Sequence, residues 1–290
     1  MRATMLKMPR QPSLALFWIA IIGNLVIIQL GYNVFHQIRD IPFESNLFRV
    51  FAAIFADILS NHLLFEPLLN GLILFSIIML CRQLIQQVKL YKKWKTYIDS
   101  KSNPEMTKRF IKKFNKENLR IEVILDSSII AMTAGLIKPR VILSSGLIER
   151  FNDQEMEAIL FHEMYHSKFR HPLQLLILTM IAESLAFLPI MKSLVHHYKI
   201  WMELLADRFA IYHMGSEIQL AQVLLAVLKN NQVKSQGYGV HFVNESVNYR
   251  LKQLIDPQTP IRIPFFKQKT LLLSVIVLVM MTLIFIYGSV

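Results

Sequence analysis

Three residues in one short run could do metal chemistry. His162 and His166 stand one helical turn apart in the sequence HEMYH, with Glu163 between them. On an α-helix both imidazoles project from one face and can fill two corners of a tetrahedral zinc site, while Glu163 can take a proton from an attacking water. A pattern with three fixed residues turns up by chance in roughly one chain in a hundred of this size, so the run needs support from elsewhere. Glu203 supplies it, in the stretch WMELLADRFA, with Asp207 one turn later and apolar Leu204, Leu205 and Phe209 around them. A third, carboxylate ligand and a second carboxylate that orients an imidazole are what a His/His/Glu site requires. The competing reading makes Glu203 and Asp207 a surface pair of ion-forming acids.

The elements that must position these residues can be read from spacing. Asn152, followed three residues later by Glu155, has the form of a capping box, and Met156, Ile159, Leu160 and Met164 recur at helical intervals. HEMYH is therefore expected on a helix that ends near Pro172. Upstream, 119–125 and 140–143 are rich in Ile, Leu and Val and predict short strands, with turns at Asp126-Ser127-Ser128 and Ile137-Lys138-Pro139. A basic stretch, 91–118, is expected to be helical around 106–114 and to form a solvated or lipid-facing surface.

Composition places this catalytic part beside a membrane. The chain has 290 residues, 53% of them hydrophobic, and a mean hydropathy of +0.39, more apolar than an ordinary soluble domain. Uncharged runs at 11–38, 67–81 and 270–290 predict three crossings, the second continuing to Val88 with Arg82 reaching back to the interface. A cleavable signal peptide competes for the first run, but its apolar part is too long. Arg2, Lys7 and Arg10 put the N-terminus inside, as do Lys89, Lys92, Lys93 and Lys95 for everything after the second run. Within the external loop, 47–65 has the pattern of an amphipathic surface helix. The net charge of +12 and pI near 9.8 fit this orientation signal, and direct nucleic-acid binding is not expected. Cys81 is the sole cysteine, so neither an internal disulfide nor a cysteine metal cluster can form.

One segment conflicts with the proposed ligand set. Residues 172–191 are long and apolar enough to cross, with Glu183 their only charge, yet one crossing would put Glu203 on the far side of the bilayer from His162. A hairpin that dips in and returns near Leu188 and Pro189, with Glu183 facing protein, removes the conflict. The alternative is a double crossing, which must bury Lys192, His196, His197 and Lys199. His171, His196, His197 and His213 flank this segment and are expected to be interfacial. His241, Tyr165, Tyr249 and Arg250 are rival donors for an oxyanion near the metal.

HEMYH followed by ELLAD resembles the membrane metallopeptidases of the β-lactam sensor-transducer family and, more distantly, the heat-shock and prenyl-protein membrane proteases of the gluzincin group. The likeness covers about 131–250, and includes AMTAGLIKPRVILSSGLI and NYRL. It implies a mainly α, multi-span membrane protein with a gluzincin-like cytoplasmic α+β domain and a small sheet. Its organisation would be a two-span region over 1–88, a peptidase domain over 89–268 with the dipping hairpin at about 172–200, and a last span over 269–290. By resemblance His162, His166 and Glu203 bind Zn2+, Glu163 is the catalytic base and Asp207 supports a ligand. Ala131, Met132 and Thr133 lie in an edge strand that holds substrate, and Arg250 is structural or steadies it. The implied partners are a protein substrate, such as a winged-helix transcriptional repressor or the protease itself, and the lipid bilayer of a bacterial cytoplasmic membrane. A quality-control protease and a non-catalytic transducer of the same fold are the alternatives. The sensor-transducers continue into an external penicillin-binding domain. The sequence given ends at Val290, so antibiotic sensing by that route is not expected.

Overall fold

The computed structural model describes residues 10–40, 65–114, 119–234, 240–256 and 260–287. The expected surface helix at 47–65 and the charged N-terminal residues Arg2 and Lys7 lie outside them. Two long helices come first, α1 (Arg10–Asp40) and α2 (Phe65–Lys101), then α3 (Pro104–Phe114). Strands β1 (Ile121–Ile124), β2 (Ala131–Ala134) and β3 (Arg140–Ser144) follow, and then α4 (Ser145–Arg150) and α5 (Asp153–Lys168). The remaining helices are α6 (His171–Ser184), α7 (Pro189–Met214), α8 (Ile218–Lys234), α9 (Val240–Ile255) and α10 (Gln268–Tyr287). The chain divides into two compact units.

The first unit comprises Met1–Pro12, Gln87–Leu178 and His197–Ile263. Its sheet has the order β1-β3-β2, with β1 parallel and β2 antiparallel to the central β3. Alternation along β3 divides its side chains. Val141 and Leu143 enter a cluster with Leu147, Met156, Ile159 and Leu160, while Ile142 points the other way, to Ile98 and Ile124. Each such side chain contributes about 1.5–3 kcal/mol when fully buried, so the contact of α5 with the sheet is hydrophobic in origin. The turn between β2 and β3 needs Gly135: its φ is +100°, and a Cβ there would sit 3.0 Å from the Lys138 carbonyl oxygen.

A reciprocal cap starts α5, with Glu155 N donating to Asn152 Oδ1 at 3.0 Å and Asn152 N to Glu155 Oε2 at 2.9 Å. The helix ends at Lys168, earlier than Pro172, because Arg170 takes a left-handed φ of 52° and turns the chain into α6. The sequence 171–214 then doubles back. Tyr198 pairs with Gln174, and Lys192 Nζ lies 2.9 Å from Glu183 Oε2. Partners whose separations centre on the same few residues define an antiparallel helical hairpin, with its turn at 185–188. Glu183 is therefore paired with Lys192 and partly exposed.

The second unit comprises Ser13–Gln86, Thr179–His196 and Pro264–Val290. Within it Gln29 Nε2 donates to Thr282 Oγ1 at 3.0 Å, joining α1 to α10, and Ile190 N donates to Ser274 Oγ at 3.0 Å. Among the described residues two helical segments, Arg10–Tyr32 and Leu68–Lys101, are long and apolar enough to cross a membrane. The apolar segment Gln268–Leu283 is shorter than that, so the expected three crossings are matched by two such helices.

Candidate active site

Helix α5 delivers His162, Glu163 and His166, each 8% exposed. Helix α7 presents Glu203 to both imidazoles: Oε2 lies 3.4 Å from His162 Nε2, and Oε1 lies 3.7 Å from His166 Nε2. The two Nε2 atoms are 3.1 Å apart. All three donor groups fall within 4.8 Å of one another, near enough to share one cation. One turn along α7, Asp207 Oδ1 approaches His162 Nδ1 at 2.8 Å, leaving Nε2 directed at the common point.

Arg250 on α9 closes this arrangement from behind. Its Nε and Nη2 donate to the two Asp207 oxygens at 2.7 and 2.8 Å, and Nη1 is 3.4 Å from Glu203 Oε2. The planar fork of the guanidinium fixes the Asp207 carboxylate in two dimensions. Asp207 is fully buried, and a buried carboxylate needs such a partner.

The edge strand also reaches the site. Thr133 Oγ1 lies 2.8 Å from Glu163 Oε2 and 2.9 Å from the Glu163 carbonyl oxygen, so its one hydroxyl proton can go to either. Ala131 lines a cleft of about 170 Å3 with Ile129, Ile159, Leu220, Val223 and Leu224, which opens on His162, Glu163 and Arg250. Met132 points to the opposite face of the sheet, against Ile98, Ile124 and Ile142. Only its backbone is left to face a substrate.

The electrostatics favour a bound cation. Burial opposes the charging of His162, but the Asp207 and Glu203 carboxylates outweigh it and its pKa is pushed up to about 9. Burial takes His166 down to about 4. It also pushes the Glu163 carboxyl above the usual range, against the opposing pull of His162 and the Thr133 hydroxyl. Glu203 is disfavoured by burial, yet His162, His166 and Arg250 hold it well below the usual range, so it stays an anionic donor.

Sequence reasoning missed His171. Expected at an interface, it is 4% exposed and its Nδ1 lies 2.8 Å from His166 Nδ1. Its position after a left-handed turn leaves no periodic signal. Of the rival oxyanion donors, Arg250 stands at the site. Tyr165 packs against Phe169, His171 and Phe209, and Tyr249 packs against the cluster of Ile200, Trp201 and Leu204. The side chain of His241 lies outside the described residues.

Two imidazoles and a carboxylate converging on one point, an acid–base carboxylate beside them and an edge strand alongside form the arrangement of a metallopeptidase. Residues 100–279 match peptidase family M48, and the chain belongs to that family. No curated protein matches it.

Proposed function

We propose that the chain is an integral-membrane zinc endopeptidase with a cytoplasmic active site. The convergence of Glu203 on the Nε2 atoms of His162 and His166 carries this reading, because three N and O donors with an open fourth position are the donor set of catalytic zinc. When bound, zinc would supply Lewis-acid polarisation of the scissile carbonyl and of the attacking water. His162, His166 and Glu203 would hold it. Asp207 and Arg250 keep His162 in the tautomer that offers Nε2.

Glu163 accepts the proton of the attacking water and returns it to the leaving amine. Thr133 holds the carboxylate in place for both transfers. The open edge of β2 offers backbone groups to an extended peptide, and the aliphatic cleft beside Ala131 would take an apolar side chain next to the cleaved bond.

Membrane residence rests on α2, of whose apolar window only 6% is buried inside the protein. A soluble core helix would be covered, whereas Leu74, Ile77, Ile78 and Ile85 are all more than half exposed. Resemblance to the sensor-transducers favours a regulatory substrate, a cytoplasmic winged-helix repressor or the chain itself.

The test uses the full chain in detergent. His162→Ala, His166→Ala and Glu203→Ala should each lose about one bound zinc per chain by metal analysis. Glu163→Gln should keep the zinc and lose about 10²–10⁴-fold in peptide hydrolysis. Stoichiometric zinc in Glu203→Ala would refute the ligand set, and full activity in Glu163→Gln would refute the mechanism. Loss of damaged membrane proteins as well as the repressor in the wild type would instead favour quality control.

A further inference from the structure

Away from the active site, a groove of about 650 Å3 opens between α2 and the end of the sheet. That volume falls within the ~300–1,000 Å3 typical of small-molecule sites. Its walls carry Lys95 on α2, Arg120 before β1, Lys138 in the β2–β3 turn and Arg140 on β3. Arg140 is paired with Glu122 at 2.6 Å. Among the described residues no carboxylate pairs with Lys95, Arg120 or Lys138, so three cations face one groove without compensation.

Solvated lysines on a polar face would be the ordinary explanation, but the rim is not polar. Tyr91 and Trp94 are 60% and 41% exposed, and the turn beside Lys138 presents Leu136 and Ile137 at 38% and 73% exposure. Interfacial aromatics, an outward apolar tip and unpaired cations together are the pattern of a surface that meets a bilayer. The position on α2 agrees. Tyr91 and Trp94 follow Leu90, the last aliphatic residue before them, by one and four residues, or roughly 2 and 6 Å at the helical rise. The polar headgroup layer on each side of a bilayer is about 5–7 Å deep.

We propose that this groove binds the phosphate of an anionic membrane phospholipid, with Leu136 and Ile137 entering the boundary of the acyl chains. A phosphodiester supplies the negative charge that the three cations lack, and an acyl boundary covers the apolar tip that a soluble anion would leave wet. The proposal rests on α2 crossing the membrane and is independent of the peptidase assignment, since its test reads lipid retention and not hydrolysis.

The full chain in mild detergent is mixed with equal amounts of phosphatidylglycerol and phosphatidylcholine, and retained lipid is measured by native mass spectrometry. The wild type should retain about one phosphatidylglycerol in preference to phosphatidylcholine. The combined Lys95→Ala, Arg120→Ala and Lys138→Ala variant should lose roughly a hundredfold in retention, since each juxtamembrane cation adds about fivefold. These side chains are exposed or line open surface, so folding is not at stake, and unchanged thermal melting checks it. Ile137→Ser should also weaken retention, with all charges intact. Equal retention of the two lipids overturns the proposal, as does an equal loss on changing Lys89, Lys92 and Lys93 to Ala, which would mean diffuse attraction. Unchanged retention in Ile137→Ser overturns the apolar contact. Displacement by millimolar inorganic phosphate would identify a soluble phosphate ligand, and displacement by an acidic peptide a protein partner. Either result overturns the lipid assignment.

Discussion

A metal-binding imidazole is held by what its other ring nitrogen touches. His162 has a carboxylate there, whereas His166 has a second imidazole, 2.8 Å away. For His166 to offer Nε2 to a metal, its Nδ1 must carry the proton and His171 Nδ1 must accept it. Burial takes the His171 pKa down to about 3, which keeps that ring neutral and able to accept. His171→Ala should therefore lower zinc affinity about 10- to 100-fold in a chelator competition, and His171→Asn, which restores an acceptor, should recover part of it. Unchanged affinity in His171→Ala would remove this residue from the site. HEMYH, Glu203 and Asp207 could be found in the sequence because a single helical turn places each pair. Arg250 could be suspected only through resemblance, its partner Asp207 being 43 residues away. Thr133 was expected to touch substrate, but its hydroxyl is turned to Glu163, a pairing across 30 residues that no local pattern encodes.

At the level of elements, a carboxylate joins the apolar contact of Ile98 with Ile124 and Ile142 in tying the sheet to the end of α2. Asp126, between β1 and β2, accepts from Lys101 Nζ and Tyr97 Oη, and its Oδ1 accepts from Ser128 N at 2.8 Å. These partners, the Lys101 ammonium foremost, hold the Asp126 carboxyl well below the usual carboxylate range. A folded-state pKa below the unfolded value, about 3.9, contributes stability that is fully present above the unfolded value and is lost progressively as pH falls from there through the folded-state pKa. The melting temperature of the wild type should thus exceed that of Asp126→Asn at neutral pH, and the difference should shrink as pH drops below about 4. A difference that does not change with pH would show that the carboxylate charge contributes nothing. Strands β1 and β3 were legible as Ile, Leu and Val runs. The strand AMTA was not, since Ala and Met carry little strand preference, and only its place in the resemblance marked it. The parallel pairing of β1 with β3 depends on contacts about 20 residues apart, such as Ile121 with Val141, which composition cannot show. The hairpin was legible because the proposed ligand set of His162, His166 and Glu203 demanded it, although the partner of Glu183 was not.

On the scale of the whole molecule, the two compact units make a topological prediction. Ser100 and Ser216 fall in the same unit, so the proposed membrane reading puts both on one side of the bilayer. With Cys81 replaced, cysteines at both positions should be shielded from an impermeant thiol reagent in intact cells, while one at Pro189 should react poorly from either side. Labelling at Pro189 alone from outside would turn the hairpin into a double crossing, and labelling at Ser216 would separate Glu203 from His162 and His166. The bond from Gln29 to Thr282 has a consequence for biogenesis. Its partners are 253 residues apart, and at 5–20 residues per second translation takes about 13–50 s to pass from one to the other. On the proposed membrane reading, the first helix would spend that interval in the bilayer with a polar amide lacking its native acceptor. An amide in hydrocarbon without a partner is costly, so the nascent α1 should crosslink at Gln29 to the insertion machinery, and release should coincide with the arrival of α10.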